Sequence, residues 1–232
     1  MAKKKPLPGP PLVSVGRKEF FRIIPSRFPP VSIFEEIYDS EEEREIAFAI
    51  ESLTNPRLRH EAGEIDLIPR GEWLTGPGAS PVMAAFTHLG HPSRFTDGTF
   101  GVYYAARTLQ TAIAETCYHR AKFLAATKQP DQEITMRVYS GTTKGDLHDL
   151  TGNAFESLLN PDDYAASQTF GARLKNQNSN GLIFPSVRDP KGLCLGIFRP
   201  KALCPPKQRS HLRYLYNASK EAITNVFRIT SV

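Results

Sequence analysis

The sequence predicts an α+β domain. Short apolar runs of strand-like composition occur at 19–24, 101–106, 132–141, 181–186 and 193–198. Two patterned stretches of helical length begin at Thr108 and at Asn160-Pro161. These elements do not alternate as the strands and helices of a parallel α/β sheet do, and no internal repeat is present.

Taken in order, residues 1–16 (MAKKKPLPGPPLVSVG) are broken by proline and lysine, and they are expected to be a loose, disordered tail. The rest, 17–232, reads as a single domain. EFFRII at 19–24 is a strand closed by Pro25. Ser40 with Glu43 has the form of a capping box and predicts a helix over 41–53. Turn residues crowd 54–80: Asn55-Pro56, Pro69, Gly71 and Gly76-Pro77-Gly78. A short helix is expected over 81–88, with proline in its first position. GVYYAA at 101–106 is a strand. Thr108 then caps a helix of roughly 16 residues whose Leu109, Ala112, Ile113 and Cys117 fall on one face, leaving Glu115 off that face near Thr111, Tyr118 and His119. Residues 132–141 alternate and end at Gly141, as a strand would. A further helix runs from Asn160 to about Asn176. GLIFPS at 181–186 and LCLGIF at 193–198 form a hairpin across the Asp189-Pro190-Lys191-Gly192 turn. Residues 213–216 and 225–229 are the final strands.

The chain has 232 residues, enough to bury a core without a metal or disulfide staple. Hydrophobic residues make up 40% and charged residues 23%, a balance that excludes a predominantly disordered chain. No apolar run approaches the ~20 residues of a membrane span. Three cysteines without CxxC spacing fit a reducing compartment, so a cytoplasmic protein is expected. The net charge of +5 owes much to Lys3, Lys4 and Lys5. The 35–51 stretch is acidic and the remainder near neutral, which does not make the single basic face of a nucleic-acid binder.

Motifs exclude further classes. His88 and His91 stand at i and i+3 without a third ligand, so no metal is expected. There is no Walker A loop, no GxGxxG after a strand and no G-x-S-x-G elbow. Cys117 shares the apolar helix face and reads as core. Single polar residues beside apolar strands remain: Arg22, Arg94, Tyr104, Glu115 and Ser186. From spacing alone each also has an ordinary structural reading.

The order of these residues resembles the RES domain family, named for its Arg, Glu and Ser. The resemblance rests on Arg22 in a strand, Arg94-Phe95 in a loop, Tyr104 in a strand, Thr111-Ala112-Ile113-Ala114-Glu115 in a helix, Gln168, and Gly181 followed by Ser186, over most of 19–200. The sequence departs from the family where Ser93 and Thr96 flank Arg94-Phe95 in place of glycine and asparagine. The long interval between Arg22 and Arg94 makes 31–88 look like an inserted surface segment.

The resemblance implies an ADP-ribosyltransferase-like fold, a mixed β core with flanking helices. It also implies an NAD+-cleaving toxin of a toxin–antitoxin pair. The bond broken would be the nicotinamide–ribose bond, with ADP-ribose passing to phosphate or water. A mono-ADP-ribosyltransferase acting on protein, or an inactive NAD-binding module, are the alternatives. NAD+ is then substrate, with no prosthetic group. The implied partners are NAD+, inorganic phosphate and an Xre-type helix-turn-helix antitoxin, without nucleic acid or membrane; a homo-oligomer is left open. By this reading Glu115 stabilises an oxocarbenium-like sugar. Arg94 and Arg22 hold the pyrophosphate. Tyr104, or Tyr103 on the other face of the strand, stacks on nicotinamide. Ser186 bonds ribose or phosphate and is not a nucleophile.

Overall fold

Period-two alternation along the strands gives the sheet two apolar faces, and each carries its own core. In the computed structural model the described residues are 9–16, 18–27 and 65–230, with Ser40, Glu42, Glu43 and Ile46. The strands are β1 (Leu12–Ser14), β2 (Phe20–Pro25), β3 (Tyr103–Ala106), β4 (Gln132–Gly141), β5 (Asp146–Asp149), β6 (Gly181–Pro185), β7 (Leu193–Ile197), β8 (Lys207–Asn217) and β9 (Ala222–Ile229). They form one sheet in the order β1-β5-β6-β7-β3-β2-β4-β8-β9. The β5–β6 pair is parallel and the other pairs are antiparallel. The helices are α1 (Ser80–Thr87), α2 (Leu109–Ala126) and α3 (Ala165–Asn176). This is the α+β fold that the sequence predicts.

One face buries Phe20, Tyr103, Ala105, Ile183, Leu195 and Ile197 against Val82, Met83 and Phe86 of α1. The opposite face buries Ile23, Val102, Ala106, Leu182, Phe184 and Cys194 against Ala112 of α2 and Phe170 and Leu174 of α3. Neighbours in sequence therefore face opposite ways, Tyr103 into the first core and Tyr104 toward the second. Helix α2 starts at its expected cap, where the Thr108 side chain accepts a hydrogen bond from the Thr111 N–H.

Several elements differ from the sequence-based expectation. Residues 12–14, expected in a disordered tail, form β1: Leu12, Val13 and Ser14 pair with His148, Leu147 and Asp146. The Asp149 N–H also bonds the Pro11 carbonyl at 2.8 Å, and Val15 is buried. The polar edge of β5 is satisfied by this short segment. Residues 65–88, expected within a surface insertion, belong to the first core through Ile65, Ile68 and Trp73, whose indole N–H bonds the Ile68 carbonyl. Helix α3 begins at Ala165 rather than near Asn160. The Asn160 side chain accepts from the Asp162 and Asp163 N–H groups, and Asp163 from that of Ala165, which makes a polar turn before the helix. Ser40 accepts from the Glu43 N–H at 3.1 Å, as the capping box requires. The rest of the predicted 41–53 helix, most of 31–64 and residues 1–8 lie outside the described residues.

Candidate active site

Helix α2 carries Glu115 to the ends of β6 and β7. Its carboxylate Oε1 accepts a hydrogen bond of 2.5 Å from the Ser186 hydroxyl and a weaker one from the Cys194 thiol at 3.7 Å. The other oxygen, Oε2, faces His119 Nε2 one helical turn on at 3.8 Å. The Glu115 side chain keeps 23% of its surface exposed, so it is held yet reachable from solvent.

Ser186 is nearly buried and fully engaged. Its oxygen accepts from the Arg188 and Asp189 N–H groups at 3.1 and 3.0 Å while its hydrogen goes to Glu115. The turn that follows is pinned to the start of α2, where Thr111 donates to the Asp189 carboxylate at 2.7 Å. Gly192 closes the turn; a Cβ there would lie 2.5 Å from the Thr111 methyl carbon and 2.7 Å from Asp189 Oδ2, so any other residue would push against the Thr111–Asp189 contact.

Arg94 sits on the loop before β3. Its Nη1 donates to the carbonyls of Leu158 and Asn160 at 3.3 and 2.8 Å, and its guanidinium lies 4.6 Å from the centre of the Tyr164 ring. Tyr104 brackets this arginine. Its hydroxyl accepts from the Phe95 N–H and shares a hydrogen with Ser93 Oγ, both at 2.9 Å. Burial pushes the Tyr104 phenol up to about 12. Gln168 on α3 holds the Ser93 carbonyl at 3.1 Å. Gly171 lets α3 approach so closely that a Cβ would overlap the Phe95 carbonyl. Tyr104 also lines a small cavity together with Ser93, Thr96, Phe100, Val102 and His91.

Glu115 and Arg94 share one electrostatic neighbourhood. Partial desolvation, although 56% of its side chain stays exposed, lowers the His119 imidazole; Glu115 opposes this, while Arg188, Arg94 and Lys122 add to it. Burial also raises the Cys194 thiol, with Glu115 adding to the rise and Arg94 opposing it.

Arg22 is placed differently. It lies between Phe21 and Ile23, which pack toward the second core, and its guanidinium sits 4.4 Å from the Tyr103 ring centre. Strands β2 and β3 pair only at Phe21 and Ala106, and Arg22 Nη1 donates across this gap to the Tyr104 carbonyl at 2.8 Å. Its contacts are with main chain and core; contacts join Glu115 to Ser186 and Tyr104 to the Arg94 loop, the two pairs meet in the charges felt by His119 and Cys194, and Arg22 reaches Tyr104 only through its backbone. Tyr103 is fully buried, edge-on to Phe20.

Two residues at this site were not singled out by sequence reasoning. Arg188, two residues past Ser186, lies with its guanidinium carbon 3.4 Å from the Tyr118 ring centre. Cys194 touches Glu115 from β7. Neither has a local pattern that marks it; only the fold brings 188 and 194 beside 115. Among the described residues, no group of three metal-ligating side chains converges, and no helix is long and apolar enough to cross a membrane.

This arrangement of a serine-held glutamate beside a loop arginine coincides with a family match. Residues 68–217 match the RES domain, and the chain belongs to the RES domain family. Arg94, Tyr104, Glu115 and Ser186 fall inside the matched stretch and Arg22 outside it. An uncharacterised protein y4oC of Sinorhizobium fredii (strain NBRC 101917 / NGR234) is 29% identical over 216 residues, 91% of this chain and 88% of that protein. The crystal structure of the M. tuberculosis MbcT-MbcA toxin-antitoxin complex contains a more distant neighbour. It is 15% identical with a TM-score of 0.37, covering 56% of this chain and 74% of that one.

Proposed function

We propose that this protein is an NAD+-consuming toxin of a toxin–antitoxin pair, cleaving the nicotinamide–ribose bond and passing ADP-ribose to phosphate or water. Membership of the RES family supports the class of reaction. The observation that carries the reading is the Glu115 carboxylate, held at one oxygen by Ser186 at 2.5 Å and sharing its surroundings with Arg94.

As the C1″–N bond lengthens, its electron pair moves onto the pyridine nitrogen and nicotinamide leaves neutral, so no strong general acid is needed. Positive charge grows on the sugar, and the Glu115 carboxylate is the group that stabilises it. A phosphate oxygen then bonds to C1″, giving ADP-ribose 1″-phosphate; with water as acceptor, a proton is released. Ser186 fixes the carboxylate. Arg94, stacked on Tyr164, keeps Nη2 and Nε for the pyrophosphate. Tyr104 holds the Arg94 loop, and its ring, lining a cavity, gives nicotinamide a surface to rest on. Arg22 acts as a positioning residue beneath Tyr104. The partner that restrains such a toxin is an Xre-type helix-turn-helix antitoxin.

Incubation with NAD+ labelled in its adenylate half, with and without phosphate, tests the reading. A small phosphorylated product formed only with phosphate supports phosphorolysis, and ADP-ribose supports hydrolysis. Label on a protein band moves the assignment to protein modification, and unchanged NAD+ overturns it.

A further inference from the structure

We propose that Arg188 is a second phosphate-binding cation of this site and acts with Arg94 on one dianion. The inference rests on the reading of the site as one for a dinucleotide, and it adds a residue that the family resemblance does not supply.

The two arginines are built alike. Each guanidinium lies over a tyrosine ring, Arg94 on Tyr164 and Arg188 on Tyr118. Each is anchored to the same loop: Arg94 to the Asn160 carbonyl at 2.8 Å and Arg188 Nη2 to the next carbonyl, that of Pro161, at 3.2 Å. Stacking and one anchoring edge fix the plane of a guanidinium and leave its remaining N–H groups in a known direction. Both side chains are partly exposed, and their hydrogen bonds use only Nη1 of Arg94 and Nη2 of Arg188. Both cations act on the same imidazole, His119, next to Glu115.

Their charge is also unspent. Arg199, Arg209 and Arg213 pair with Glu72, Glu19 and Glu133. Among the described residues, Arg94 and Arg188 form no ion pair. Two partly exposed guanidinium groups anchored to adjacent carbonyls, neither of them ion-paired, leave positive charge that a doubly charged oxyanion can bind. The Arg188 backbone is rigidly placed for this, because its N–H bonds Ser186 Oγ and the next residue, Asp189, is tied to Thr111. The fitting ligand is a phosphate dianion, either the diphosphate bridge of the dinucleotide or the inorganic phosphate acceptor.

Calorimetric titration with inorganic pyrophosphate tests this on wild type, Arg188→Gln, Arg188→Lys, Arg94→Gln and, as control, exposed Lys191→Gln in the same loop. Circular dichroism checks that each variant is folded. Arg188→Gln and Arg94→Gln should each weaken binding by about 10–150-fold, the span for a hydrogen bond to a charged group. Arg188→Lys should recover only part, since an ammonium lacks the fork, and Lys191→Gln should bind as wild type. Turnover then separates the sources. A raised KM for NAD+ in Arg188→Gln places the diphosphate there, and a raised KM for phosphate at saturating NAD+ places the acceptor there. Wild-type pyrophosphate affinity in Arg188→Gln, or no binding by wild type, overturns the proposal. If NAD+ is not consumed but pyrophosphate binding depends on both arginines, the proposal stands and the NAD+ reading falls.

Discussion

Replacing Ser186 by alanine removes the hydroxyl that donates at 2.5 Å to Glu115 and accepts from two turn N–H groups. A hydrogen bond to a charged group contributes about 1.5–3 kcal/mol. At 1.36 kcal/mol per tenfold, the loss corresponds to about a 10- to 150-fold fall in kcat if the bond only holds the carboxylate in place. Glu115→Gln removes the charge itself and should cost about 10²–10³-fold. The double variant should then be no slower than Glu115→Gln by more than about threefold, because the serine acts through the glutamate. NAD+ depletion followed at saturating substrate for the four proteins gives the cycle. The turn amides set free should also lower stability by about 1–2 kcal/mol in urea denaturation, a loss comparable to that of a helix cap. Penalties that multiply to about 10³–10⁵-fold would mean that Ser186 does not act through Glu115 and would place its hydroxyl on the substrate.

Tyr104→Phe removes the hydroxyl that brackets Arg94 through Ser93 and Phe95; it should raise KM for NAD+ several-fold with a smaller effect on kcat, measured by steady-state kinetics. Gly171→Ala drives a methyl group into the Phe95 carbonyl and should destabilise by about 1–3 kcal/mol, seen as a Tm lower by several degrees. His119 is held below its usual range, chiefly by burial, with Arg188, Arg94 and Lys122 opposing protonation and Glu115 favouring it. The unfolded chain takes up that proton near pH 6.5, before the folded protein does, so stability should fall slightly as pH drops below about 6.5, the effect being small because 56% of the His119 side chain is exposed to solvent. In His119→Asn this part of the slope should vanish from urea midpoints compared at pH 7 and 5.5; an unchanged slope removes His119 from the account.

Elements with strong local signals were legible in the sequence. The Thr108 cap, the apolar face of α2 and the β6–β7 hairpin each follow from residues near one another in the chain. Strands β1 and β5 were not, because three residues near proline and the polar sequence DLHD become strands only by pairing with each other and with β6. The later start of α3 was hidden because Asn160, Asp162 and Asp163 bond backbone N–H groups as a turn instead of opening the helix. In the candidate site, Glu115 and Ser186 are 71 positions apart and no spacing rule joins them. The order of family motifs suggested the pair, and the fold brings the side chains together. Arg22 shows the limit of that route, since a motif position does not say toward which core a strand residue points. Arg188 escaped because its neighbours Tyr118 and Pro161 come from distant segments.

On the proposed reading, the glutamate fixed by a serine drives cleavage of the bond between nicotinamide and ribose. Proton NMR of NAD+ mixed with the purified protein measures this directly. Release of free nicotinamide by wild type, slowed about 10²–10³-fold in folded Glu115→Gln, is the expected result. Nicotinamide released equally fast by both proteins removes Glu115 from the chemistry, and NAD+ left intact by wild type removes the reaction.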